Sequence, residues 1–252
     1  MNKRLPSILL LACWPTWVLA ADLSDLRADS ASLDGKTGET LYRGNAILSQ
    51  DNVRISADEM QALQNEDGGL KSGRFRGEPA VFEHTDPITG AKSEARAREI
   101  VYDTGTGRIE LLGGASLVQN DSKLNRQLRL LADHIQLTQT GEQLNDLSAT
   151  GNPALFSRLE ENAAPVEGQA NQLSYLGSKE QLFLEGNAKL LQGTTTIEHV
   201  VIEYDGLRKL ITTPKRDGHQ VKITRAQANA AATKPEPITT EPNHAVQKKE
   251  PL

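Results

Sequence analysis

The chain has 252 residues, 24% of them charged, 37% hydrophobic and 4% aromatic, with a formal net charge of -5 and one cysteine. A mild acidic excess with scattered Lys and Arg argues against nucleic-acid binding, because neutralising phosphates takes a concentrated basic face. The length suits one large β domain or two small ones.

Residues 1–20 read as a signal peptide. "MNKR" supplies a cationic start, "LPSILLLACWPTWVLA" an interrupted apolar stretch, and Val18 with Ala20 fits cleavage before Ala21. The mature chain is therefore expected to be exported. Cys13 opens an alternative, since "LLAC" loosely resembles a lipoprotein processing box that would leave a lipidated Cys13 at the new N-terminus, although Leu11 fits that box poorly. Cleavage after Ala20 leaves no cysteine, so the domain would rely on packing and strand pairing in an oxidising compartment.

Three windows then align without a gap: "ADSASLDGKTGETLYRGNA" from Ala28, "AREIVYDTGTGRIELLGGA" from Ala97 and "ANQLSYLGSKEQLFLEGNA" from Ala170. Each carries turn chemistry at its centre, at 34–38, 103–107 and 176–179, so the repeating unit is a β-hairpin. After the turn, alternate residues form one face. It reads Thr40, Tyr42, Gly44, Ala46, Leu48, then Ile109, Leu111, Gly113, Ala115, Leu117, then Leu182, Leu184, Gly186, Ala188, Leu190. That alternation predicts a sheet with one buried side, and the shared Gly and Ala are expected to thin the middle of it so that a strand or ligand can approach.

A further strand follows each window: "VRISADEMQAL", "LRLLADHIQL" and "TTIEHVVIEY". Ile55, Leu130 and Ile197 correspond, as do Met60, Ile135 and Ile202, and the change of parity between the two sets predicts a bulge or bend in mid-strand. Two units add "GEPAVF" and "GNPALF", in which Pro79 and Pro153 suggest an edge or a strand start. With no βαβ pattern the sheets should be antiparallel, stacked as sandwich or jelly-roll layers in one elongated body, or alternatively as a compact two-sheet sandwich. The last segment, 224–252, is rich in Ala, Pro, Thr and Lys and reads as a disordered tail.

Catalytic signatures are missing. None of His84, His134, His199, His219 and His244 stands at a metal-ligand spacing with another, and each is expected at the surface or in a turn. No phosphate loop, nucleophile elbow or zinc-binding helix occurs, and no cofactor is implied. Asp58-Glu59 and Asp133-His134 recur at equivalent positions and are expected to face solvent beside the bend. An envelope glycan-binding or glycan-processing protein would require aromatic platforms and paired carboxylates. Both Trp residues, however, lie in the signal peptide.

The segment Gly151 to Gln192, "GEPAVF" with Ser93 to Gln119, and "RGNAILSQDNVRISADEM" from Arg43 resemble the LptA/OstA-like family of periplasmic lipopolysaccharide-transport bridge proteins, over most of residues 26–213. The resemblance implies a β-jelly-roll over 21–223, open at both ends. It implies lipopolysaccharide, held by its lipid A acyl chains, as ligand, and same-fold inner-membrane and outer-membrane transport components as partners. Head-to-tail self-association is implied too. The third "GNA"-type strand departs from the usual pattern of two. On this reading the groove would be lined by Leu48, Ile55, Phe82, Tyr102, Ile109, Leu111, Leu117, Phe156, Tyr175, Leu182, Leu184 and Leu190, between sheets that diverge along one edge. A membrane-anchored or purely structural relative of the same fold is the alternative.

Overall fold

A computed structural model describes residues 25–50, 52–64, 70–123, 125–140, 143–205, 207–208 and 210–226. The expected signal peptide, Cys13, His244 and the tail beyond Ala226 lie outside the described residues. The strands are β1 (Asp25–Arg27), β2 (Ser30–Leu33), β3 (Glu39–Gln50), β4 (Val53–Gln64), β5 (Leu70–Thr85), β6 (Lys92–Asp103) and β7 (Arg108–Asp121). They continue with β8 (Arg126–Thr140), β9 (Gln143–Glu160), β10 (Val166–Leu176), β11 (Gln181–Gln192), β12 (Thr195–Asp205), β13 (Leu210–Thr212) and β14 (Lys222–Arg225). β14 carries the folded region to Arg225, past the expected boundary at 223.

The fourteen described strands form one antiparallel sheet in which consecutive strands pair from β3 to β13, so the compact sandwich of two separate sheets is not the architecture. The hairpins fall where the turn residues placed them. Asp34 accepts a hydrogen bond from the Lys36 backbone N–H at 2.8 Å, and Asp103 one from the Thr106 N–H at 2.9 Å, the local bonding that favours Asp in tight turns. In the third hairpin a short 3-10 turn, Gly177–Lys179, does the same work, and Glu180 takes the left-handed position held elsewhere by Gly38 and Gly107.

The bend expected in mid-strand exists and is larger than one bulge. Pairing slips between Arg43 and Ala46, Ser56 and Glu59, Arg76 and Ala80, Arg96 and Glu99, Leu112 and Ala115, Leu131 and His134, Ala170 and Gln172, Gln169 and Gln172, and Glu185 and Ala188, in the nine successive pairs from β3–β4 to β11–β12. These slips lie side by side and form a seam across the sheet. In β4, β5, β6, β8, β9 and β10 the inward parity shifts at the slip, as from Ile55 to Met60, whereas β3, β7 and β11 keep theirs across a left-handed Gly; in all nine, both halves keep their apolar side chains on the same concave interior. The sheet is thereby folded on itself into a first layer, carrying Leu48, Ile55, Phe82, Leu117, Leu130 and Leu190, and a second, carrying Met60, Phe75, Ile100, Leu111, Ile135, Leu173, Leu184 and Ile202. All of them belong to one buried cluster. This is an elongated antiparallel β-jelly-roll, open at both ends and built from repeated hairpin units.

The seam corrects two sequence expectations. Gly44, Gly113 and Gly186 do not thin the buried side; they turn the corner, with φ of 77°, 81° and 74°, and a Cβ on them would run into the side chains of Asp29, Arg98 and Asn171. The alanines beside them do face inward, at the apex where the layers converge: Ala46 pairs with Ala57, Ala80 with Ala97, Ala115 with Ala132 and Ala154 with Ala170. Pro79 and Pro153 are not at an edge or a strand start. They sit inside β5 and β9 at the seam, where the slipped ladder asks no N–H of them.

The edges repeat the same plan in broken form. β1 and β2 both pair with β3, as the single strands β6 and β10 pair with β7 and β11; β13 and β14 both pair with β12, as β5 and β9 pair with β4 and β8. Leu33 on β2 is 69% exposed and Ile223 on β14 60% exposed.

Candidate functional site

The interior between the two layers is the candidate site. Of the sequence-predicted lining residues, Leu48, Ile55, Phe82, Tyr102, Ile109, Leu111, Leu117, Tyr175, Leu182, Leu184 and Leu190 are buried in one cluster, and Phe156 packs half-buried against it. The layers meet more closely than the expected diverging sheets: a Cβ on Gly168 of the first layer would come 3.1 Å from Leu184 Cδ2 of the second.

Apolar clefts lie inside, among the described residues. One, of about 40 Å³, lies between Leu117, Leu130 and Phe156 of the first layer and Leu147, Leu173, Tyr175 and Leu182 of the second. The other, of about 30 Å³, lies between Phe156, Arg158 and Leu190 on one side and Leu182, Tyr204 and Ile211 on the other. Phe156 and Leu182 border both. Ordinary ligand pockets hold about 300–1,000 Å³, so an extended chain enters only if the layers part. They are joined along the seam, and parting them opens the side opposite it.

Sequence reading missed Leu130, Leu147, Leu173, Arg158 and Tyr204. The first two follow from the parity rule applied to β8 and β9. Arg158 could not be found by apolar pattern, because it is a cation at an inward position, 8% exposed and paired with Glu160. His84 is likewise inward, 5% exposed, which corrects its expected surface placement. Burial drives its pKa below the ordinary imidazole range, with Asp86 acting in the opposite sense. The same desolvation pushes the Tyr102 and Tyr175 hydroxyls up to about 12, with Asp103 and Glu180 adding to it.

Larger hollows lie on the outside. One of about 550 Å³ follows the outer side of the seam between Asp58, Glu59, Arg76, Glu78, Arg98 and Glu99. Glu59 there bridges Arg43 and Arg76 at 3.1 Å each, and Glu99 holds Arg76 at 2.9 Å as well as Arg74. Partly exposed pairs of this kind contribute little each and mainly fix register. Among the described residues, no group of three His, Cys, Asp or Glu side chains could hold a metal ion. Nor is any helix there long and apolar enough to cross a membrane.

The family model described as LptA/(LptD N-terminal domain) LPS transport protein matches residues 25–127 and again 125–209. The lipopolysaccharide export system protein LptH of Pseudomonas aeruginosa is 22% identical over 130 residues, 52% of this chain and 74% of that one. The export protein LptA of Escherichia coli strain K12 is 33% identical over 98 residues, 38% of this chain and 50% of that one, so the match spans half of that relative. A crystal structure of LptH, the periplasmic component of the lipopolysaccharide transport device of Pseudomonas aeruginosa, aligns with 81% of this chain and 94% of its own at 15% identity and a TM-score of 0.34.

Proposed function

The chain belongs to the LptA/(LptD N-terminal domain) family of LPS transport proteins, and on that premise we propose that it is a periplasmic carrier that shields lipopolysaccharide acyl chains between its two layers and bridges inner to outer membrane. One observation carries this reading: the inner faces of both layers form one continuous apolar surface hinged along a single seam. A twelve-carbon chain left in water costs on the order of 9 kcal/mol at about 0.8 kcal/mol per methylene. Lining it with Leu117, Leu130, Phe156, Leu173 and Leu182 removes most of that cost, and aliphatic walls let it slide. No bond is made or broken.

The bridge requires copies or same-fold partners to join end to end. Within the chain, strands of the β5 type pair with strands of the β6 type: Gly73 faces Tyr102 and Leu147 faces Tyr175. The C-terminal edge is of the first type and the N-terminal edge of the second. Stacked copies would therefore set Ile211 opposite Leu33, and Ile223 opposite Leu26, continuing the sheet by strand addition. This accounts for the exposure of Leu33, whose counterparts Tyr102 and Tyr175 are 4% exposed.

Photo-cross-linking in cells tests the reading. A photoreactive residue at Leu117 or Leu182 is expected to attach to lipopolysaccharide, whereas one at Leu131, on the outer face of β8, is not. Labelling from Leu131 alone, or from none of the three, would refute the interior as the lipid path.

A further inference from the structure

Arg158 and Tyr204 face each other from opposite layers near the C-terminal end, and both line the smaller interior cleft, whose remaining walls include Phe156, Leu182, Leu190 and Ile211. Each is 8% exposed. The Tyr204 hydroxyl is buried with no hydrogen-bond partner among the described residues, a state that native structures avoid unless another group completes it. Arg158 pairs with Glu160, and a guanidinium, with five N–H donors, can keep a carboxylate while receiving a second anion.

The arrangement is built into the repeat. Arg158 stands opposite Leu128 as His84 stands opposite Val53, so the two occupy equivalent inward positions of β9 and β5. His84 is buried too, and its Nδ1 has no partner among the described residues. Four inter-strand spacings separate these positions, about 19 Å along the sheet. The same lip of the interior thus presents a nitrogen group in two units, beside the buried polar side chains Asp86, Ser93, Gln119 and Asp121, with the apolar wall beneath.

We propose that the mouth between Arg158 and Tyr204 is a subsite for the phosphate ester of an amphiphile whose hydrocarbon lies in the adjoining apolar cleft. The proposal rests on the lipid-carrier reading. A planar guanidinium fork matches two phosphate oxygens, and a phenol hydroxyl donates to a third. Apolar walls below the mouth take the chains that such a headgroup carries. The ester is held at the lip, while the chains stay free to slide.

Calorimetric titration of the mature protein tests it with three ligands: hexa-acylated lipid A bearing its phosphates, the same lipid enzymatically dephosphorylated, and inorganic phosphate. The native protein is expected to bind the phosphorylated lipid about tenfold more tightly than the dephosphorylated one, the contribution of a charge-assisted contact. Arg158→Gln should abolish that gap, Arg158→Lys should restore part of it, and Tyr204→Phe should narrow it about threefold without lowering the unfolding midpoint. Equal weakening of both lipids by Arg158→Gln would make the residue a wall of the cleft and overturn the subsite alone. Binding of inorganic phosphate that Arg158→Gln removes would assign the mouth to free phosphate and overturn the lipid assignment. Failure of the native protein to bind either lipid would overturn the carrier reading along with it.

Discussion

Gly113 and Gly114 are neighbours with left-handed backbones, yet they should respond differently to a side chain. Gly113 has φ of 81°, and a Cβ there would run into Arg98 Nε; both of its repeat counterparts, Gly44 and Gly186, are glycine. Gly114 has φ of 66° with nothing within 4 Å of a Cβ, and its counterparts Asn45 and Asn187 carry side chains at φ of 47° and 51°. Gly113→Ala is expected to cost about 1–2 kcal/mol, the left-handed penalty of an L residue, since the flexible end of Arg98 can swing aside. Gly44→Ala should cost more, because its Cβ would sit 2.9 Å from Asp29 Cβ, which is anchored to the main chain. Gly114→Asn should stay within about 0.5 kcal/mol of the parent, because Asn tolerates this backbone and narrows the unfolded ensemble. With a urea dependence of about 2 kcal/mol per molar, the midpoint should fall by about 0.5–1 M for Gly113→Ala and hold for Gly114→Asn. An equal loss at both positions would refute the claim that the seam's backbone geometry selects these residues.

At the seam apex Ala154 is fully buried, so Ala154→Leu should destabilise by about 1–3 kcal/mol through overpacking, read as a lower thermal midpoint; a neutral result would mean the layers have room there. Tyr102 and Tyr175, pushed up to about 12 from 10.0, favour the folded state fully below pH 10 only in the sense that no phenolate forms in either state; above it, the unfolded chain ionises first. Stability is therefore lost as the pH rises from 10 through 12, so alkaline unfolding and phenolate absorbance should rise together in that window; phenolate forming near pH 10 in the folded protein would contradict the burial. For the end-to-end contact, the double variant Leu33→Cys with Ile211→Cys should give a ladder of disulfide-linked species on oxidation, because opposite residues of an antiparallel pair lie within bridging range. Leu33→Cys with Ile223→Cys, out of register, should not, and equal ladders from the two would reject the register.

Much of the architecture is legible in the residues because alternation has a period of two and turn chemistry is local. Asp34 and Asp103 mark hairpins that form where they stand, and Ile55 with Met60 betrays a change of parity that proves to be a corner. The glycines were harder to read. Gly44, Gly113 and Gly186 continue the alternation of the buried face, and a period-two pattern cannot separate a residue that points inward from one whose backbone turns. Pro79 and Pro153 misled for the same reason, since only the slipped pairing around them makes a proline harmless in mid-strand.

Sequence alone thus determined the β class, the repeat and the apolar face, because these depend on spacing along the chain. The width of the interior, the seam that folds one sheet into two layers, and the meeting of Arg158 with Tyr204 were decided by the tertiary structure. They depend on nine register slips falling into line across strands, and on residues 46 positions apart in the chain converging from opposite layers.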